Sequence, residues 1–202
     1  MGKIGFFGGT FNPVHKGHKK LLESVIRALQ FDKVIVLPSR VPPHKQVDGL
    51  LSGKDRLNMC KLAFADIKGV EVSDWELCQS GKSYSVLTLR HFKSEYPDDK
   101  LYFIMGSDML LSFHEWYCYE EILKLASLVC VSRKNEDTTS LLLSYAKTLE
   151  QKGGEVIIVP EEPFEVSSTE LRDKLKKGQD CSCYLDKNVV QYIEANNLYH
   201  EG

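Results

Sequence analysis

Short runs of consecutive apolar, β-favouring residues alternate with helical patterns along the whole chain, and this alternation constrains the fold most. Val34-Ile35-Val36-Leu37 and Val156-Ile157-Ile158-Val159 are apolar at every position. A strand with one wet face alternates polar and apolar side chains. A strand apolar on both faces must be covered on both, as in a parallel sheet between helix layers. The pattern predicts strands at Lys3–Phe7, Lys33–Leu37, Val70–Ser73, Leu101–Met105, Leu128–Val131 and Glu155–Val159. Helical spacing predicts helices at Gly17–Leu29, Lys54–Ala65, Ser85–Ser94, Tyr119–Leu125, Leu141–Gln151, Thr169–Lys176 and Asp186–Ala195. The expected fold is therefore α/β, a doubly wound, Rossmann-like parallel sheet flanked by helices. No repeat, low-complexity tract or linker interrupts it, so residues 1–202 are expected to form one domain. Ligands of such sheets lie beyond the carboxyl ends of the strands, where the strand order reverses. The residues that directly follow strands are thus the ones to read for function.

After the first strand comes Gly8-Gly9-Thr10-Phe11-Asn12-Pro13, then His15-Lys16-Gly17-His18 at the mouth of a helix. Glycines without a Cβ let a ligand approach the backbone, and a helix start offers unpaired N–H groups, which together suit a phosphate. Two familiar phosphate loops are excluded. A Walker loop needs Gly-Lys-Ser/Thr where this chain has Lys16-Gly17-His18, and a dinucleotide fingerprint needs an acid roughly 20 residues on. The second strand instead ends in Leu37-Pro38-Ser39-Arg40. What remains is a pair of imidazoles three residues apart, groups able to donate to a phosphoryl oxygen and to carry charge near neutral pH. Their bland alternative is two surface histidines at a helix start.

Composition bounds the rest. A chain of 202 residues with 43% apolar and 27% charged residues can bury a sizeable core without disulfides. A net charge of −2 offers no broad basic field for nucleic acid or an anionic membrane, so anion binding must be local. No basic-then-apolar leader opens the chain and no apolar run reaches the ~20 residues of a membrane span. The six cysteines are therefore expected as reduced thiols of a cytoplasmic protein. Cys181-x-Cys183 lacks the two-residue gap and second ligand pair of a zinc site and reads as two loop thiols.

The loop after the second strand, Pro38 to Gln46, is stiffened by Pro42 and Pro43 and carries His44 and Lys45 where an anion would pass. After the fourth strand come Gly106, Ser107 and Asp108, with Trp116 a few residues on. Asp108 can accept from a ribose hydroxyl or cap the next helix, with Ser107 as the competing cap. Trp116 offers a flat face to a planar ring, or is a core tryptophan. Tyr84, Ser85 and Thr88 open a helix and can turn hydroxyls to the same cleft. Near the C-terminus, Val166-Ser167-Ser168-Thr169-Glu170-Leu171-Arg172 starts a helix with capping serines and a guanidinium one turn later. That stretch is either a plain cap or a polyphosphate clamp.

The first motif resembles the His-x-Gly-His signature of the nucleotidylyltransferase superfamily, and the last resembles its Ser-Ser-Thr-x-x-Arg signature. Together with Pro42-Pro43-His44-Lys45, Ser83-Tyr84-Ser85 and Gly106-Ser107-Asp108…Trp116, they resemble bacterial nicotinate-nucleotide adenylyltransferases over nearly the whole chain. The resemblance implies transfer of AMP from ATP to nicotinate mononucleotide, giving deamido-NAD and pyrophosphate. It implies an ATP site of Gly8, Gly9, Thr10, Phe11, His15, His18, Gly106, Asp108, Ser167, Ser168 and Arg172. It implies a mononucleotide site of Lys45, Tyr84, Ser85, Thr88, Trp116 and Arg133, with His15, His18, Lys45 and Arg172 as the catalytic set. Mg²⁺ would ride on the ATP phosphates, with no protein-held metal cage. The chain departs from the family's Ser-Tyr-Thr-x-Asp-Thr pattern at Leu87, and lacks the Gly or Pro that commonly follows Arg133. The alternatives are the same chemistry on nicotinamide mononucleotide or phosphopantetheine, and a non-catalytic nucleotide-binding module.

Overall fold

The structure, a computed structural model, describes residues 1–41, 49–133, 136–161, 164 and 166–199. It contains one six-stranded sheet in the order β3-β2-β1-β4-β5-β6, all strands parallel. The strands are β1 (Lys3–Gly9), β2 (Lys33–Pro38), β3 (Val70–Val72), β4 (Lys100–Gly106), β5 (Ser127–Arg133) and β6 (Val156–Glu161). The helices are α1 (Lys16–Leu29), α2 (Gly53–Phe64), α3 (Trp75–Cys78), α4 (Ser85–Glu95), α5 (Ser107–Leu111), α6 (Tyr119–Leu125), α7 (Glu136–Glu150), α8 (Ser168–Lys176) and α9 (Lys187–Ala195). A 3₁₀ turn covers Phe113–Glu115. This is the doubly wound arrangement expected from the alternation of apolar runs.

All strands but the short edge strand β3 feed two cores because successive side chains point to opposite faces. Phe7, Val34, Val36 and Ile104 enter one core with Leu22 and Val25 of α1, Phe64 of α2, Leu171 of α8 and Val189 of α9. Ile4, Phe6, Ile35, Leu37 and Phe103 enter the other with Leu89 and Phe92 of α4, Ile122 of α6 and Leu142 of α7. Phe6 and Leu22 are fully buried, and each such side chain contributes roughly 1.5–3 kcal/mol relative to exposure.

The predicted elements are all present, with shifted ends. β1 runs on through Gly8 and Gly9, which pair with Leu37 and Pro38 although they have no side chain to show a period. α7 starts at Glu136 rather than Leu141, since its first turn is polar and carries no apolar signal. α3 and α5, four and five residues long, are too short to show a helical repeat. Among the described residues no helix is long and apolar enough to cross a membrane.

The sheet order reverses between β1 and β4, so the carboxyl ends of those strands border the expected crevice. A Cβ at Gly106 would meet nothing within 4 Å, so the end of β4 faces open space there.

Candidate active site

Beyond Gly9 the chain doubles back. Phe11 adopts the left-handed region (φ 49) and its buried ring packs against Phe7, Phe64 and His18. A Cβ at Gly9 would come within 2.9 Å of that ring, so only glycine lets it fold back. The turn brings Asn12 and Pro13 across the end of the sheet and delivers His15 as the N-cap of α1, its backbone extended. The N–H of His15 donates to Nδ1 of His18 at 3.2 Å, and the two rings lie 3.7 Å apart, tilted by 32°. Gly17 is needed beside them: a Cβ there would sit 2.9 Å from Nδ1 of His15 and 3.3 Å from Phe164.

This geometry sets the proton positions. With Nδ1 accepting, neutral His18 carries its proton on Nε2 and can donate there. Burial, and next the neighbouring His15, hold the His18 pKa well below the usual imidazole value. Burial brings His15 down to about 4. At neutral pH the pair acts as hydrogen-bonding groups rather than as cations, and neither is a surface histidine. Nδ1 of His15 is buried without a hydrogen-bond partner, a cost of roughly 1–3 kcal/mol that proteins keep mainly where function needs the group.

The C-terminal motif comes to the same place. Ser167 caps α8, accepting from the N–H of Glu170 at 3.1 Å while Glu170 accepts from the N–H of Ser167 at 2.9 Å. Ser168 Oγ donates to the carbonyl of Pro13 at 3.1 Å, and Arg172 Nη1 donates to the carbonyl of Asn12 at 2.9 Å. Nη2 of Arg172 donates to Thr169 Oγ1 at 3.2 Å. Ser167 caps the helix, while Ser168 and Arg172 reach across to the first loop.

The remaining predicted residues divide. Asp108 lies exposed in the first turn of α5, and neither it nor Ser107 caps that helix, whose N-cap is Gly106. Tyr84 is the N-cap of α4 and packs on Tyr117 at 4.9 Å, with half-buried Ser85 next to it. That segment is tied to the exit of β2, because Ser83 Oγ accepts from the N–H of Arg40 at 2.9 Å and the N–H of Ser83 donates to Val41. Thr88, in contrast, turns away. It is 1% exposed, and its hydroxyl donates to Oε1 of buried Glu76 at 2.7 Å. Burial raises the Glu76 pKa. Trp116 is buried against Phe103 and Phe113, mostly as a core residue. His44, Lys45 and the side chain of Arg133 lie outside the described residues.

Two residues at the site carried no sequence signal of their role. Arg56 sits on α2, where a surface residue is the usual reading, yet it is 1% exposed. Its guanidinium donates to the carbonyls of Thr10 at 2.8 Å, Ser39 at 2.7 Å, Leu51 at 3.2 Å and Arg40 at 3.5 Å. It therefore ties the exits of β1 and β2 to the start of α2. Asn12, equally buried, bonds to the chain at Gly49 and Leu51. Among the described residues no group of three or more His, Cys, Asp or Glu could hold a metal ion. Neutral imidazoles, hydroxyls and a guanidinium are partners for phosphate oxygens. All six cysteines are free thiols.

Such a site, with groups suited to phosphate oxygens from both ends of a chain meeting at the carboxyl end of a parallel sheet, is that of a nucleotide-handling α/β class. The profile of the cytidylyltransferase-like family matches residues 6–174. A probable nicotinate-nucleotide adenylyltransferase of Clostridium tetani is 35% identical over 98% of this chain and 100% of its own length. Another of that name, from Shouchella clausii, is 36% identical over 100% of this chain and 99% of its own. The chain belongs to the cytidylyltransferase-like family, within its nicotinate-nucleotide adenylyltransferases. Among solved structures, Plasmodium falciparum nicotinic acid mononucleotide adenylyltransferase complexed with NaAD shares the fold, with a TM-score of 0.79, 20% identity and 98% of each chain covered.

Proposed function

We propose that this protein transfers AMP from ATP to nicotinate mononucleotide, forming deamido-NAD and pyrophosphate. The observation that carries the reading is the pair of bonds from Ser168 and Arg172 to the carbonyls of Pro13 and Asn12. They bring both phosphate-binding motifs to one end of the sheet, and the relatives' shared name supplies the acceptor.

In this reading an oxygen of the mononucleotide 5′-phosphate attacks the α-phosphorus of ATP. The bond from that phosphorus to the α–β bridging oxygen breaks, and the electron pair leaves with pyrophosphate. Two anions must meet, so the protein's contribution is positioning and stabilisation of charge. Nε2–H of His18 donates to an α-phosphate oxygen as charge builds, and His15 holds the bridging region. Arg172 and Ser168, with Gly8, Gly9, Thr10 and Phe11 lining the loop, hold the triphosphate, and Gly106 and Asp108 face the nucleoside. Tyr84, Ser85 and Trp116 are the candidates for the acceptor's pyridine and ribose, and the resemblance assigns Lys45 and Arg133 to the mononucleotide as well. Mg²⁺ on the triphosphate oxygens would supply further neutralisation; the imidazoles, hydroxyls and guanidinium of the site suit the phosphate oxygens, and among the described residues no group of three or more His, Cys, Asp or Glu could hold the ion.

The test is pyrophosphate release from ATP and Mg²⁺ with nicotinate mononucleotide, nicotinamide mononucleotide or phosphopantetheine as acceptor. The expected result is release with the highest kcat/KM for nicotinate mononucleotide. Release with only another acceptor reassigns the substrate, and none with any acceptor points to a binding module.

A further inference from the structure

The carbonyls that Arg172 and Ser168 grip belong to a stretch outside any helix or strand, so no ladder fixes their peptide planes. Something else must orient them. The side chain of Asn12, 1% exposed, is bonded at both ends of its amide. Nδ2 donates to the carbonyl of Gly49 at 3.0 Å. Oδ1 accepts from the N–H of Leu51 at 3.3 Å and from the hydroxyl of Tyr199 at 2.9 Å. The amide thus bonds to the Gly49–Leu51 turn on both sides, as a neighbouring strand would. Leu51 is in turn held through its carbonyl by Nε of Arg56.

We propose that Asn12 is a positioning residue that couples the triphosphate clamp to the Gly49–Leu51 turn leading into α2, and that Tyr199 locks it in place. Its backbone carbonyl aims the Arg172 guanidinium, and its side chain holds that carbonyl still by gripping Gly49, Leu51 and the Tyr199 hydroxyl. This rests on the assignment of Arg172 to the triphosphate. Burial raises the Tyr199 pKa, so its hydroxyl stays a neutral donor at any working pH. The C-terminal segment, far from the motif in sequence, thereby bears on nucleotide binding.

Asn12→Ala keeps the backbone carbonyl and removes only the side chain's grip, so any effect on Arg172 is indirect. Binding of α,β-methylene-ATP, measured by calorimetry, reads the clamp without an acceptor or turnover. Asn12→Ala should weaken it roughly tenfold to a hundredfold, and Tyr199→Phe about threefold, as expected for loss of buried hydrogen bonds. In an Arg172→Ala background each change should shift binding by less than about twofold, because the group being positioned is gone. Equal shifts in both backgrounds would overturn the coupling and leave Asn12 as a scaffold residue. The Tyr199→Phe cycle decides the matter if Asn12→Ala does not fold. An unsubstituted protein that binds the analogue, shows this coupling, yet releases no pyrophosphate would overturn the adenylyl transfer and keep the role of Asn12.

Discussion

The two imidazoles differ from free histidine because they are withdrawn from water and lie against each other, and this has consequences that single substitutions read directly. If Nε2–H of His18 stabilises charge at the α-phosphate, His18→Ala should lower kcat by roughly 10²–10³, as for loss of one oxyanion donor. A steady-state kcat within a few-fold of the parent would remove that role. Burial holds both histidines neutral in the folded state, His15 down to about 4. In the unfolded chain they take a proton near 6.5. The unfolded state therefore binds more protons as pH falls from 6.5 towards 4, so stability present above 6.5 is lost across that window. The His15 share is on the order of 3 kcal/mol. Urea midpoints measured from pH 7.5 to 4.5 should fall, and His15→Gln should flatten the fall. At this scale the sequence named the candidate residues but not their state, because a tautomer and a depressed pKa depend on the neighbours that fold around the ring.

At the scale of elements, the β1–loop–α1 unit was legible because an apolar run, two glycines and a helical period lie adjacent in sequence. Gly17 shows how local rules and site geometry can oppose each other. In an ordinary helix Gly→Ala stabilises by roughly 1 kcal/mol, but here the new Cβ would sit 2.9 Å from Nδ1 of His15. Gly17→Ala is expected to leave the thermal midpoint close to the parent's while kcat falls at least about tenfold, since misplacement of a reacting group by an ångström is costly. Equal activity in both proteins would show that the His15 ring position is not critical. Helix α4 gave a mixed outcome. Ser-Tyr-Ser at its start is anchored to the exit of β2, yet Thr88, one turn on, donates its hydroxyl to Glu76. Spacing places Thr88 on a helix and cannot say which side faces a buried carboxylate from α3.

On the whole-molecule scale, Arg56 extends the pairing of β1 and β2 past the end of the sheet and ties it to α2. Its four carbonyl partners come from the β1 exit, the β2 exit and the α2 start. Burial lowers its pKa, and the guanidinium still stays charged. Arg56→Met should cost roughly 3 kcal/mol or more, because buried carbonyls lose their donor. Urea unfolding followed by circular dichroism would measure it, and a loss below about 1 kcal/mol would mean that water takes the place of the guanidinium.

The succession of the strands and longer helices, the covering of both sheet faces and the two candidate motifs were legible in the sequence alone, since each depends on period or on neighbours within a few residues. The tertiary structure decided which groups meet. Arg172 reaches a carbonyl 160 residues away, and Tyr199 a side chain 187 residues away. No local pattern encodes such contacts, because they exist only once the parallel sheet has brought both ends of the chain to one edge.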